Sequence, residues 1–223
     1  MKDKLIIVGA SGFGREVAWL VERINRSQTT WELLGFLDDN TNLHHHTING
    51  YPVLGTVNDA IRYPDAFFVC AIGTANVRRK VIHKLLEINP KAKFGTLVDP
   101  SADISRYNQI GEGTIICAHS ILTVNIHVGR HVIVNLDCTV GHDVVLEDFV
   151  TVYPGANISG DVHVGECCEL GTGMQILQGK TVGSHSTVGI GSVVVWDIPE
   201  DCVAVGNPAR SVKAISLADD TKS

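Results

Sequence analysis

Two neighbouring side chains late in the chain could move a proton. His142 is followed directly by Asp143, and Asn135 precedes them in the run Asn135-Leu-Asp-Cys-Thr-Val-Gly-His-Asp143. An imidazole ordinarily titrates near pH ~6.5, so at neutral pH it can accept a proton from a nucleophile. A carboxylate beside it fixes the tautomer and stabilises the imidazolium. His142 follows Val140-Gly141, which sets it in a turn with its ring projecting outward. A surface histidine in a turn is the competing reading. The other histidines lack this setting. His44-His45-His46 reads as a solvated loop, and His119, His127, His131, His163 and His185 read as surface positions. No metal site is expected from them.

A second set of residues suits an anion. Gly9-Ala-Ser-Gly-Phe-Gly14 joins the apolar run Leu5–Val8 to a helical stripe. Ser11, Gly12, Phe13 and Gly14 would bring backbone amides and a helix N-terminus up to a phosphate. Asp38 and Asp39 stand where a second strand ends, a position that suits a hydrogen bond to a ribose or base. The alternatives are a tight strand–helix turn, a solvated turn, and a dinucleotide cradle, for which the domain is short.

The elements that must hold these residues fall into two halves. Residues 1–95 alternate strand and helix: strands at Leu5–Val8, Trp31–Leu37, Phe67–Ala71 and Phe94–Thr96, helices at Phe13–Ile24 and Asn76–Ile88. That order predicts a small parallel sheet with right-handed crossovers. The period then changes. Every sixth residue from Val98 to Val194 is Val, Ile or Leu, which chance would give about once in 10⁸. Four positions on, the residue is usually small or aliphatic, as at Ala102, Ser120, Cys138, Ala156, Ser186 and Ser192; Asn108 and Lys180 break that pattern. This hexapeptide repeat predicts a parallel β-helix over 96–212, about 25 Å long at ~4.8 Å per coil. Residues 213–223 are polar and are expected to fray.

Composition sets outer bounds. Hydrophobic residues make up 44% of the 223, and net charge is −6 with no basic block, which argues against nucleic acid as partner. No stretch approaches a membrane span or a signal segment. The six cysteines form no CxxC pair and read as reduced and mostly buried, in a cytoplasmic protein.

Gly9-Ala-Ser-Gly-Phe-Gly14, Gly35-Phe-Leu-Asp-Asp39 and Ala71-Ile-Gly-Thr-Ala-Asn-Val-Arg-Arg-Lys80 are joined to the repeats and to the ending Gly206-Asn-Pro-Ala-Arg210. Together they resemble the sugar O/N-acyltransferases of the sialic-acid O-acetyltransferase type, which include UDP-4-amino-sugar and perosamine N-acetyltransferases. The resemblance runs from residue 4 to about 212. It implies a small Rossmann-like α/β domain followed by a left-handed β-helix; the handedness comes from the resemblance alone. It implies acetyl transfer from acetyl-CoA, a co-substrate, to the amine of a nucleotide-linked amino-sugar. In that family's catalytic segment the position of His142 is the general base, Asp143 raises its basicity, and Asn135 belongs to the same run. Coenzyme contacts are implied at Thr151, Gly160, Thr172 and Ile190, with Gly160 offering a backbone N–H to the thioester oxyanion. Lys180, basic at an otherwise small inward position, is expected to turn out toward a coenzyme phosphate. Nucleotide-sugar contacts are expected at Ser11, Gly12, Phe13, Gly14, Asp38, Asp39, Gly73 and Arg78. The sequence departs from the family at Phe13 and Thr151, where relatives often carry histidine. A homotrimer is expected, because the flat faces of a triangular prism pack about a threefold axis and set His142 against a neighbour. O-acetylation of a sugar or sialic acid, and a non-catalytic sugar-nucleotide-binding β-helix, are the alternatives. A metal-dependent lyase lacks its histidine spacing.

Overall fold

The computed structural model describes residues 2–214. The first half is built around β1 (Asp3–Val8), whose Leu5, Ile6, Ile7 and Val8 are all buried. A strand apolar on both sides needs cover on both faces. Helix α1 (Gly12–Ser27) covers Leu5 and Ile7 with Val17 and Val21. Helix α2 (Ala75–Ile88) covers Ile6 and Val8 with Ile82 and Leu85. The other strands are β2 (Trp31–Leu37), β3 (Thr47–Ile48), β4 (Tyr51–Gly55), β5 (Phe67–Cys70) and β6 (Lys93–Phe94). They lie in the order β3-β4-β2-β1-β5-β6, parallel except for β3–β4. The expected strands and helices are all present, with ends shifted by up to three residues. The β3–β4 hairpin is an addition. Its turn is Asn49-Gly50, both at positive φ, the commonest two-residue hairpin signal. Because β2 and β5 flank β1 on opposite sides, the sheet's switch point lies between the C-terminal ends of β1 and β5. Open α/β sheets hold their ligands there.

From β7 (Leu97–Val98) to β23 (Val193–Val194), two-residue strands recur every six positions, and the Val/Ile/Leu series is the second residue of each. From Ile116 onward each of these is at most 2% exposed. Up to Gln175–Ile176, each strand pairs in parallel with the one eighteen residues on, as Val134 does with Val152. Three faces result. The first runs through Val98, Ile116 and Val134, the second through Ile104, Leu122 and Val140, the third through Ile110, Val128 and Leu146. This is a left-handed parallel β-helix. The residue at every sixth position from Gly113 to Gly191 has positive φ, one per corner. Gly, Asn, Asp and His fill most of these slots, as the left-handed region favours. Phe149 and Cys167 fill two others, and both are buried against the N-terminal domain, where packing offsets a cost of about 1–2 kcal/mol.

The N-terminal domain sits on the first face. Leu97, Ile115 and Ile133 share a core with Leu5, Val17 and Phe36. Asn108, which broke the small-residue pattern, ties the first coil to the second: its Nδ2 donates to the Leu122 carbonyl (3.0 Å) and its Oδ1 accepts from Ile126 N–H (3.0 Å). At the other end β24 (Cys202–Val205) continues the first face beside β22 (Thr187–Val188), and β25 (Arg210–Ala214) returns antiparallel to it. The expected tail therefore overlaps a strand at 213 and 214; residues 215–223 lie outside the described residues. All six cysteines are free and buried, as expected. No helix among the described residues is long and apolar enough to cross a membrane.

Candidate active site

β14 (Thr139–Val140) belongs to the second face and β15 (Val145–Leu146) to the third. His142 is at the corner between them, remote from the first face and its N-terminal domain. Asp143 takes the left-handed slot (φ 59°), and its carboxylate meets the histidine: Nδ1 to Oδ2 is 2.8 Å. The bond from His142 and a second from Asn125 hold the Asp143 carboxyl below its ordinary value. With Asp143 ionised, Nδ1 carries the proton and Nε2 is the free acceptor. Both side chains are about half exposed, 51% and 52%. One coil further along the same corner is Gly160, where any Cβ would strike the imidazole. Glycine here is a condition for the ring's position.

A second cluster forms where the two domains meet. A cavity of ≈ 290 Å³ is lined by Phe13, Glu16, Gly73, Ile133, Asn135, Leu136, Thr151, Tyr153 and Pro154. Thr151 Oγ1 donates to the Gly73 carbonyl (2.7 Å), and Tyr153 Oη donates to Glu169 (3.1 Å). Burial, and then the Glu169 charge, push the Tyr153 hydroxyl up to about 12. Asn135 Oδ1 accepts from Leu136 N–H (2.8 Å). A smaller cleft of ≈ 150 Å³, lined in part by Gly9, Asp38, Asp39 and Ile72, lies at the switch point. Asp38 Oδ2 accepts from Ala10 N–H (2.7 Å), which pins the glycine loop to β2. Asp39 accepts from Val57 N–H (2.9 Å) and Lys84 (2.8 Å). Ser11 makes no side-chain cap, so the first-turn N–H groups of Gly12 and Phe13 have no partner within the helix.

Several expected roles change. Arg78, expected at the substrate, is turned into the domain junction. It is 1% exposed, and its guanidinium donates to the carbonyls of Ile72, Gly73, His131, Phe149 and Val150, tying the domains together. Thr151, expected beside the coenzyme, is buried under the N-terminal domain. Gly14 is also buried; a Cβ there would strike the Gly9 carbonyl, so it serves helix–strand packing. His131 is not on the surface but 5% exposed, stacked on Phe149 with centroids 5.2 Å apart. Asn135 lies at the corner between the first and second faces, across the second face from His142. Thr172 and Ile190 are exposed and share that corner, eighteen residues apart per coil with Leu136 and Pro154. Lys180 is half-buried near the His142 corner. Glu16, Leu136, Tyr153 and Pro154 were not read from the sequence. The eighteen-residue spacing Leu136-Pro154-Thr172-Ile190 was the available signal for two of them.

A β-helix bearing a His–Asp pair on an open corner, carried behind a Rossmann-like domain, defines a hexapeptide-repeat acyltransferase. Comparisons narrow the class. Residues 4–85 match the PglD N-terminal domain model. GDP-perosamine N-acetyltransferase of Escherichia coli O157:H7 is 31% identical over 217 residues, 93% of this chain and 95% of that one. The acetyltransferase domain of PglB from Neisseria gonorrhoeae, also solved with acetyl coenzyme A, superposes with TM-score 0.86 at 34% identity over 95% of this chain and 100% of that one. Perosamine N-acetyltransferase of Caulobacter crescentus, solved as a mutant with CoA and GDP-perosamine, gives 0.85 at 25% identity over 94% and 97%. The chain belongs to the sugar O/N-acyltransferase family of the sialic-acid O-acetyltransferase type, and it is an acetyltransferase.

Proposed function

We propose that the protein transfers the acetyl group of acetyl-CoA to the amine of a nucleotide-linked amino-sugar, with His142 as general base. The observation that carries this is the His142–Asp143 pair, whose Nε2 is left free at an exposed corner. The amine attacks the thioester carbonyl and gives a proton to Nε2, while Asp143 holds Nδ1–H and stabilises the imidazolium. The backbone N–H of Gly160, at the same corner, is the candidate donor to the oxyanion. As the tetrahedral intermediate collapses, the imidazolium returns its proton to the departing coenzyme thiolate. The nucleotide occupies the switch-point crevice, with its phosphates at the first turn of α1 and its sugar in the domain-junction cavity.

Within one chain that cavity and His142 are on opposite sides of the second face. A second copy brings them together. Every large hydrophobic side chain exposed on the coils — Tyr107, Ile121, Val124, Leu136, Leu177, Ile190 and Trp196 — lies on the second face or its two corners. The third face instead presents His127, His163 and Thr181. The second face is therefore the surface for self-association, as a trimer, with Thr172 and Ile190 of one subunit facing Gly160 of the next across the coenzyme groove. Incubation with acetyl-CoA and a panel of nucleotide-amino-sugars, GDP-perosamine included, should release one free thiol per N-acetylated product. Thiol release with none of them, or a monomer at micromolar concentration by light scattering, overturns the reading.

A further inference from the structure

We propose that Glu16 selects an amine over a hydroxyl in the acceptor by holding it as an ammonium. This rests on reading the junction cavity as the acceptor's site. Most of its lining is neutral, and much of its polarity is already used. Thr151 donates to Gly73, Tyr153 to Glu169, and the Asn135 carbonyl oxygen accepts from Leu136. Tyr153, with its hydroxyl pushed up to about 12, carries no charge at neutral pH. Glu16 is the one lining residue that does. It sits one helical turn after Phe13 on the same flank of α1. Its side chain is exposed and accepts no hydrogen bond among the described residues. It also borders the clefts on either side, one with Trp19 and Asn49, the other with Cys117 and Leu136.

An amino-sugar is largely protonated at neutral pH, as aliphatic amines are. A carboxylate beside a half-apolar wall binds –NH₃⁺ through a charge-assisted hydrogen bond and gains no such pairing with –OH. The role is recognition ahead of chemistry. The ammonium releases one proton to solvent before attack, and the second passes to His142. Acetyl-CoA and the ammonium thus yield amide, free thiol and one proton.

The test uses the full-length protein with GDP-perosamine, and with the same GDP-sugar bearing a hydroxyl in place of the amine. Glu16→Gln should raise Kd and KM for the amine about tenfold, leave kcat within about twofold, and leave the hydroxyl analogue's Kd unchanged. Wild-type KM should rise as pH passes the amine's pKa, and this dependence should flatten in Glu16→Gln and return in Glu16→Asp. Equal losses for both ligands, or an unchanged KM and pH profile, overturn the role of Glu16 while leaving the proposed reaction standing. A wild-type protein that acetylates no nucleotide-amino-sugar removes the reaction and the role of Glu16 together.

Discussion

Two corners of the β-helix carry nearly the same local sequence. Val128-Gly129-Arg130-His131 closes one, and Val140-Gly141-His142-Asp143 closes another two repeats on. Their histidines have opposite fates. His142 is half exposed with a free Nε2. His131 lies between Phe94 and Phe149, with Nδ1 buried and unpartnered. Burial, and then the neighbouring Arg78 charge, drive it down to about 4. Slot and cover both differ: His131 takes the left-handed slot that Asp143 fills at the other corner, while the slot of His142 is filled here by Arg130, which stays exposed. The His131 corner borders the first face, where the N-terminal domain packs, whereas the His142 corner is remote from it. The repeat sets where a histidine points; what packs on that corner sets whether it can do chemistry.

The contrast can be broken or sharpened by experiment. The largest effect is expected from His142→Ala, a fall in kcat of roughly 10²–10⁴-fold with an unchanged melting temperature. His131→Ala should do the reverse, lowering the melting temperature with kcat nearly kept. Steady-state kinetics and thermal melts on both variants check this, and equal loss of rate in the two would abolish the distinction. Next comes Arg78→Met, which removes the shared donor of five carbonyls at the domain junction, those of His131, Phe149 and Val150 in buried bonds. It should cost about 3–5 kcal/mol by denaturant titration.

Acid should act on the His131 corner through its buried histidine. The unfolded chain takes up this proton near pH ~6.5, the folded chain only near 4, so stability is intact above the first value and falls as pH drops toward the second. The loss should reach about 3 kcal/mol by pH 4 and shrink in His131→Gln, measured by denaturant melts at pH 7 and 4.5. A wild-type slope retained in that variant would assign the acid sensitivity elsewhere. The smallest effect belongs to Asp143→Asn, about tenfold in kcat, because the exposed pair is also solvated.

Much of this was legible in advance, for reasons specific to each element. The coils were readable because one inward residue per strand must be aliphatic, and no loop breaks the count. β1, β2 and α2 were readable because burial on both sides, or on one stripe, leaves a periodic trace. The His142–Asp143 pair was readable because both lie within one turn. Arg78 and His131 were not, since each owes its burial to a partner in the other domain. Glu16 and Tyr153 were missed for the same reason: their cavity exists only where α1 meets the coils. The hairpin at Asn49-Gly50 does carry its own local signal, an Asn-Gly pair at the turn.

The two ends of the coil stack have one more consequence. A stack of parallel strands ends in unpaired backbone N–H and C=O groups, a template onto which further chains can add. Here β25 folds back over β24, and at the opposite end Thr96 Oγ1 donates to the first-coil Gly111 carbonyl (3.1 Å). These closures keep a self-templating architecture finite. A chain truncated before Cys202 should lose its cap and polymerise end to end into fibrils whose repeat is the coil spacing, so the C-terminal hairpin guards solubility as much as it completes the fold.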